Sequence, residues 1–453
     1  MTQRRPDQRR SGKVQKRARR RRLERARRGP QASIHAGGSE TAEAQDLIST
    51  IGRAMDDPEP LALLALVSSL LSAVMPKRQP PFGPAGDDSE TSHATLEEFV
   101  DSFLGVDIPQ TTAALAVIAV LAEAGNELLS ARIRRELARR VSPRPGWLRD
   151  LAAVTPYRTV EMVHVLGDGD DVMVALRLPT GHELTAMVYI DHNMGTLLKD
   201  AFFIPDSIEA VIALMSQQDD TEDTEFRDLD PADARTRIEE AAHLTEITHP
   251  PIETDSWPGC RPLVEWVCRL LPEGGRGYQR PEWSEEETRH LADDFFASPF
   301  GAPLDDRPHR ELLDAILWFG TDYAPGDPMR WSPVAAEMLL GDWIPRKIVA
   351  DVEFLSLAPD LLRAFVRYCH DVRGLREVHT TDTLEAIDRW TPGYLETIRS
   401  PRPQGVDPRA LLASLVADRV ERRKAPQSEP GASTRCRAAG RPGRATDGRS
   451  RRR

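Results

Sequence analysis

Residues 158–205 read RTVEMVHVLGDGDDVMVALRLPTGHELTAMVYIDHNMGTLLKDAFFIP, and this stretch decides the fold because only here does the chain have the pattern of a β-sheet. Four runs within it favour β-strands: 160–166, 172–178, 183–191 and 196–204. In the second and third runs apolar residues recur at every other position. This alternation predicts a sheet with one buried face.

Short turns separate the four runs. Residues 167–170, 179–181 and 192–195 contain Gly and Asn, which tolerate the positive φ that tight hairpins need. Links this short cannot hold the crossovers that parallel strands require, so we expect an antiparallel meander. Alternate turns of a meander share one end, and loops 167–171 and 191–195 are therefore predicted to lie together, roughly 10 Å apart.

Charge is distributed very unevenly along the 453 residues. The net charge is −11, yet residues 1–29 carry fourteen basic and two acidic side chains, and residues 421–453 carry eleven basic and three acidic ones. The rest of the chain therefore holds a net charge of −31. A basic head, an acidic body and a basic tail follow from this count, and the two ends lack the apolar residues needed to fold.

Cysteine spacing and apolar runs favour a protein of the reducing cytoplasm. Cys260 and Cys268 are eight residues apart, which is not the spacing of metal-ligand pairs, and no secretory signal is visible. The apolar runs 61–75 and 111–124 hold about fifteen residues, fewer than the ~20 that cross a membrane. We interpret both runs as buried helices of a bundle, and we expect no membrane partner.

The pattern along the chain predicts an α+β fold that is mostly helical, with one small four-stranded antiparallel β-meander and disordered basic termini. The expected divisions are a basic tail at 1–39, a helical bundle at 40–155, the meander with one helix at 156–217, an acidic linker at 218–229, a Trp-rich helical domain at 230–423 and a second basic tail at 424–453. Capping residues mark several helix starts: Thr95 with Glu98, Asp230 before Pro231, Ser284 with Glu287 and Ser332 before Pro333.

Seven of the eight tryptophans lie beyond residue 250. Several of them fall on or beside apolar helical stripes: Trp266, Trp318, Trp331, Trp343 and Trp390. Trp318 follows Leu313 and Leu317 on a predicted helix at 308–320, so we expect it to pack inward or to lie at the edge of the stripe. If it is buried, truncation to alanine is expected to loosen the C-terminal region.

Two segments in this region carry a resemblance. The segment RWSPVAAEMLLGDWIPRKIVADVEFL, residues 330–355, is followed by a predicted helix and by AIDRWTPGYLETI, residues 386–398. Together they resemble a group of uncharacterised actinobacterial proteins. The resemblance implies kinship and carries no activity, cofactor or partner with it.

The common end of the meander holds the best local group of polar residues. Asp168, Asp170, Asp191 and His192 occupy its two loops, and oxygen-rich loops of this kind can hold a hard cation. His192 next to Asp191 also suggests an acid–base pair. The alternative is that Asp, Asn and Gly occur there because hairpins need them.

Two further groups of residues are candidate binding sites. His290 precedes Asp293 and Asp294 by three and four residues on a predicted helix, a spacing that can ligate a metal or simply face solvent. In the basic head, five arginines could neutralise phosphates without reading sequence: Arg19, Arg20, Arg21, Arg22 and Arg25. Translation past the functional frame of GC-rich DNA would give similar basic ends, and the acidic body would repel a duplex.

These observations favour a binding or protein-interaction protein of the cytoplasm, without catalysis and without a cofactor. The chain lacks a phosphate-binding P-loop, a GxGxxG turn after a strand, HExxH, GxSxG and paired CxxC motifs. The partner is expected to be a protein whose identity the sequence does not give. The alternatives are a nucleic-acid-associated protein acting through its Arg-rich tails and a metal-dependent enzyme using the carboxylates at the sheet end.

Overall fold

The computed structural model describes residues 40–75, 95–122, 126–193, 195–217, 221–248, 254 and 256–400. The tails predicted at 1–39 and 424–453 lie outside these residues, and so do residues 401–423 of the predicted Trp-rich domain. Residues Met1–Thr397 belong to one compact unit and Ile398–Arg453 to a second, of which Ile398–Ser400 are described. The described residues of the predicted bundle, of the meander and of the Trp-rich region up to Thr397 lie in the first of these units.

Helices precede and follow a single sheet. The helices before it are α1 (Glu40–Asp56), α2 (Leu61–Val74), α3 (Leu96–Leu104), α4 (Pro109–Leu121), α5 (Glu127–Leu137) and α6 (Gly146–Arg149). Helix α4 is buried on nearly every side, as its apolar sequence predicts, and it packs against α1, α2, α3 and α5. Thr95 and Glu98 form the expected capping box at the start of α3.

The sheet has five antiparallel strands, one more than the four predicted. They are β1 (Thr155–His164), β2 (Gly169–Arg177), β3 (Glu183–Asp191), β4 (Leu197–Ile204) and β5 (Thr224–Asp228), in the order β4-β3-β2-β1-β5. Strand β5 lies in the stretch that we expected to be a linker. It reads TEFRD, and its charged residues give no apolar alternation, yet its backbone pairs with β1 from Val160 to His164.

Both faces of the sheet are buried, so the prediction of one buried face is wrong. One face carries Val172, Val174 and Leu184 into the core that contains α2, α4 and two later helices, α8 (Pro231–Ile247) and α9 (Ser256–Leu270). The other face packs Met173 and Met187 against α7 (Ile208–Met215). Ser207 caps α7 by accepting a hydrogen bond from the backbone N–H of Ala210.

The described part of the C-terminal region consists of helices joined by loops. Its helices are α10 (Glu285–Ala297), α11 (Arg307–Trp318), α12 (Pro333–Met338), α13 (Ile344–Lys347), α14 (Val352–Leu355), α15 (Ala358–Val372) and α16 (Glu377–Arg399). Two π-helical turns, Phe319–Tyr323 and Leu339–Trp343, continue α11 and α12. The predicted caps Asp230, Ser284 and Ser332 are confirmed, each accepting a backbone N–H in the first turn of its helix.

His370 on α15 joins three segments of this region. Its Nε2 lies 3.0 Å from the carbonyl oxygen of Trp331, and its Nδ1 lies 3.0 Å from the hydroxyl of Thr380 on α16. A neutral ring satisfies both contacts, since Nε2–H donates to the carbonyl and Nδ1 accepts from the hydroxyl. Burial lowers the pKa of His370, and the positive charge of Arg373 lowers it further, against the opposing hydrogen bond to Trp331.

We therefore expect His370 to make the fold sensitive to acid. Because its folded pKa lies below the ordinary value of about 6.5, the unfolded chain takes up the proton first. The stabilisation that neutral His370 gives to the fold is complete above the ordinary pKa and is lost as pH falls through the folded pKa. The melting temperature of His370→Gln, which keeps a donor for Trp331, should fall less between pH 7 and pH 5 than that of the parent. Equal decreases would show that His370 does not titrate with unfolding.

Candidate functional site

The two loops at the common end of the sheet lie together, as the meander predicted. The backbone N–H of His192 donates to the carbonyl oxygen of Asp168 at 2.9 Å, and the side-chain amide of Asn193 donates to the same oxygen at 3.3 Å. Gly169 allows this closeness, because a Cβ there would lie 2.6 Å from the carbonyl oxygen of Ile190 and 2.6 Å from the hydroxyl of Tyr189.

His192 pairs with Asp170 and not with Asp191. Its Nε2 lies 2.8 Å from Oδ2 of Asp170, its Nδ1 lies 3.4 Å from the hydroxyl of Thr196, and its ring meets Tyr278 edge to face at 4.7 Å between centroids. Asp170 is opposite Ile190 in the register of β2 and β3, which brings it beside the turn that carries His192. Adjacency in sequence suggested the wrong partner, because cross-strand register decides which side chains meet.

The other predicted ligands have separate partners. Asp168 accepts a 2.6 Å hydrogen bond from Ser332 and lies 3.9 Å from the guanidinium of Arg330. Asp191 accepts from the Lys199 ammonium at 2.8 Å and from the backbone N–H of Asn193 at 2.9 Å. The structure thus brings Asp170 and His192 into one contact and gives Asp168 and Asp191 cationic or hydroxyl neighbours. A cation at these four residues stays a prediction that the contacts do not favour.

A cavity of about 390 Å³ opens beside Asp170. It lies between the sheet, helix α8 and the loop that follows α9, and six of the residues that line it are charged: Glu161, Asp170, Arg227, Asp233, Arg237 and Arg276. Tyr278, Gly277, Gln279 and Val163 complete the lining. These residues come from β1, β2, β5, α8 and the loop, so the cavity exists only once the sheet and both segments are assembled.

The inner wall of the cavity is an ordered polar cluster of Glu161, Arg237 and Tyr278. Arg237 donates to Oε1 of Glu161 and lies over the Tyr278 ring at 4.6 Å, and the Tyr278 hydroxyl donates to the same oxygen at 3.3 Å. Burial raises the pKa of Tyr278 strongly, and the negative charges of Asp170 and Glu161 raise it further. Tyr278 therefore remains a hydroxyl donor at any physiological pH.

The outer wall is formed by more exposed charges. Arg276 has 83% of its side chain exposed, and its guanidinium reaches Asp233 at 3.4 Å. Its backbone N–H donates to Asp233 at 2.7 Å, which is the main reason that the pKa of Asp233 lies below its ordinary value. Arg227 stands opposite Glu161 in the register of β1 and β5 and pairs with the exposed Glu225.

Asp170 is the most buried carboxylate of the lining, with 7% of the residue exposed. Its Oδ2 is held by His192, whereas its Oδ1 has no hydrogen-bond partner among the residues that the structure describes. A buried carboxylate oxygen without a donor costs free energy, because it has lost water and gained nothing in return. Such an atom at the edge of a cavity indicates a position where a donor from outside the protein would be stabilising.

The remaining candidates are less suited to binding. His290 lies on the solvent side of α10, 3.8 Å from Glu286, and Asp293 is paired with Arg310, so this face is a solvated helix surface. A second cavity of about 200 Å³ is lined by Leu104 and four charged residues of the α5 segment: Arg132, Arg135, Glu136 and Arg139. Its volume is about half that of the cavity beside Asp170 (about 390 Å³), and one helical segment supplies four of its five lining residues. The head residues Arg19, Arg20, Arg21, Arg22 and Arg25 lie outside the described part of the chain.

Sequence reasoning missed most of the cavity. Glu161 gave the one available signal, a carboxylate inside an apolar strand whose buried position demands a partner. Arg237 and Tyr278 lie 76 and 117 residues further along the chain, and no spacing rule connects residues so far apart.

Comparison with family models, with curated proteins and with solved structures finds no match to this chain. Within the described ranges, no helix is both long enough and apolar enough to pass through a membrane.

Proposed function

We propose that this chain is a binding protein for a small anionic molecule, held in the cavity lined by Arg227, Arg237 and Arg276. The observation that carries the proposal is the convergence of three arginines and a buried, incompletely bonded carboxylate, Asp170, on one cavity of about 390 Å³. That volume lies within the ~300–1,000 Å³ of small-molecule sites, and a few convergent polar groups are what orients a ligand there.

The balance of donors and acceptors favours an anion. The carboxylate of Glu161 is already held by Arg237 and Tyr278, and that of Asp233 by the backbone N–H of Arg276. Guanidinium groups carry five N–H donors each, and Arg276 uses its side chain in one contact of 3.4 Å within the described residues. Phosphate or carboxylate groups suit such arginines because they accept two parallel N–H bonds.

Asp170 adds a requirement for a donor on the same ligand. Its Oδ1 is a buried acceptor with no hydrogen-bond partner among the described residues, and a hydroxyl or amino group of the ligand would supply the missing hydrogen bond. Because Oδ1 is covered in the structure, this contact requires the side chain to turn toward the cavity. A ligand with one anionic group and one hydroxyl or amino group matches both features.

Binding is favoured over catalysis by the state of the titratable groups. Both ring nitrogens of His192 are engaged, one by Asp170 and one by Thr196, so neither faces a ligand as a general base. The raised pKa of Tyr278 excludes it as a proton acceptor near neutral pH. The alternative of nucleic-acid binding through the Arg-rich tails stays a prediction, as do a protein partner and a cytoplasmic location.

Replacing Arg276 by alanine is expected to weaken ligand binding about tenfold or more, because a hydrogen bond to a charged group contributes about 1.5–3 kcal/mol. A thermal-shift panel of inorganic phosphate, small carboxylates, sugar phosphates and amino acids should contain anions that raise the parent's melting temperature. A chloride salt at equal ionic strength is the control, because it distinguishes a rise in melting temperature caused by anion binding from one caused by the screening of charges.

Arg307→Ala is the matched control. Arg307 is also a highly exposed arginine paired with an acid, Glu311, and it does not line the cavity. We expect this variant to respond to the anions as the parent does. Equal responses from the Arg276 and Arg307 variants, or no response of the parent to any anion of the panel, would contradict the proposed function.

A further inference from the structure

We propose a second site, distinct from the cavity: His164, Asp223 and His379 bind a divalent transition metal of the zinc class. One potential ligand atom from each residue lies within 4.8 Å of the other two. Asp223 and His379 are buried and His164 is half-buried. The proposal does not depend on the anion site, since none of the three residues lines the cavity.

Three separate elements bring the ligands together. His164 ends β1 and stands opposite Thr224 in the register with β5, and Asp223 immediately precedes Thr224 in the sequence. The backbone N–H of Val165 donates to the carbonyl oxygen of Asp223 at 2.9 Å, and this bond holds the two segments side by side beyond the strands. His379 comes from the first turn of α16, and its ring meets that of His164 edge to face at 5.4 Å.

Two imidazoles and one carboxylate define the metals that fit. Imidazole nitrogen suits zinc, iron, cobalt and nickel, whereas magnesium and calcium prefer a shell of oxygen ligands that a single carboxylate does not supply. Three protein ligands leave room for water or another small ligand in a tetrahedral or larger coordination shell. His164, Asp223 and His379 therefore favour a divalent transition metal such as zinc over a hard cation such as magnesium or calcium.

Arg376 provides the outer contact that metal-binding carboxylates usually have. Its Nε donates to Oδ1 of Asp223 at 2.8 Å, and a terminal nitrogen contacts Oδ2, the same oxygen that lies 2.8 Å from Nε2 of His379. A contact of this kind orients the carboxylate toward the metal. Glu222 lies 3.1 Å from the same guanidinium, so its negative charge offsets part of the repulsion between Arg376 and a cation.

Metal binding has a local cost at His164. The Nδ1 of this ring accepts a hydrogen bond from the backbone N–H of Leu166 at 3.2 Å, so Nε2 is the nitrogen we assign as ligand. A neutral ring that binds metal through Nε2 carries its hydrogen on Nδ1 and gives up that bond. Binding is thus coupled to a small rearrangement of residues 164–166.

The test is titration of the full-length protein, stripped with a chelator, with zinc(II) in a calorimeter. The parent should bind one equivalent at this site, and His164→Gln should lose that equivalent or bind it about tenfold or more weakly. Cobalt(II), used as a spectroscopic probe, should give visible absorption bands with the parent that His164→Gln lacks. Magnesium should give neither signal.

Asp223→Asn removes a buried partner of Arg376 and so risks unfolding; His164→Gln therefore carries the test, with circular dichroism as a check on both variants. His290→Gln changes a histidine on the exposed face of α10 and should leave the titration unchanged. Zinc and cobalt signals that are the same in His164→Gln as in the parent, or a parent that binds neither metal, would overturn the proposal.

Discussion

Replacing Trp331 by alanine is expected to lower the free energy of unfolding by about 3–5 kcal/mol. The Trp331 residue is 2% exposed, and its indole N–H donates to the carbonyl oxygen of Pro328 at 3.0 Å. Its ring lies 6.1 Å from the ring of Phe319 and 6.1 Å from that of Phe365. Truncation would leave a cavity among these rings and an unpaired carbonyl beside it, and both effects destabilise the fold.

Trp318 provides the comparison within the same aromatic cluster. It is 43% exposed and lies edge to face with Tyr323 and Trp343 on the surface of the helical region. Of the two positions expected for it, the edge of the apolar stripe is the one observed. Trp318→Ala should therefore lose less than half of what Trp331→Ala loses, measured by urea denaturation with circular dichroism. Equal losses would contradict the burial assigned to the two residues.

Replacing Arg330 by methionine is the second large effect, an expected decrease of about 1–3 kcal/mol in the free energy of unfolding, because a buried acceptor loses its donor. Burial lowers the pKa of Arg330, which means that its charge is costly where it lies. Its guanidinium offsets this cost by donating to Oδ1 of the buried Asn193 at 2.7 Å and by lying near Asp168. Methionine fills similar space but leaves the Asn193 oxygen without its donor.

A double-mutant cycle separates this contact from simple packing. If the Arg330–Asn193 bond joins the helical region to the sheet, Arg330→Met and Asn193→Ala should together cost clearly less than the sum of the single changes. Additive losses would mean that the two side chains stabilise the fold independently. Arg346→Met, at an exposed arginine paired with Asp342, should change stability little.

The sequence predicted the parts of the fold whose signals are local. The four predicted strands are present, the end of β3 at Asp191 was correct, and the capping residues of α3, α8, α10 and α12 were identified. β5 was missed because its charged sequence forms a strand through backbone pairing with β1, which only the assembled sheet provides. The second buried face was missed because α7, which covers it, has no spacing relation to the strands.

The candidate sites were predictable only in part, for the same reason. Turn chemistry placed Asp168, Asp170, Asp191 and His192 at one end of the sheet, and they do lie there. Their partners were not predictable, because Ser332 and Arg330 reach this end from more than a hundred residues away. His164, Asp223 and His379 likewise meet only once the first turn of α16 brings His379 to Asp223 and His164.

A crystal structure with a bound anion tests the location of the anion site most directly. The crystals would be grown or soaked with the anion that raises the melting temperature most in the thermal-shift panel, at a concentration that saturates the effect. We expect electron density for that molecule in the cavity, with its anionic group within hydrogen-bond distance of Arg276 or Arg227 and its hydroxyl or amino group near Asp170. Density for the anion elsewhere on the protein, with only water beside these arginines, would contradict it.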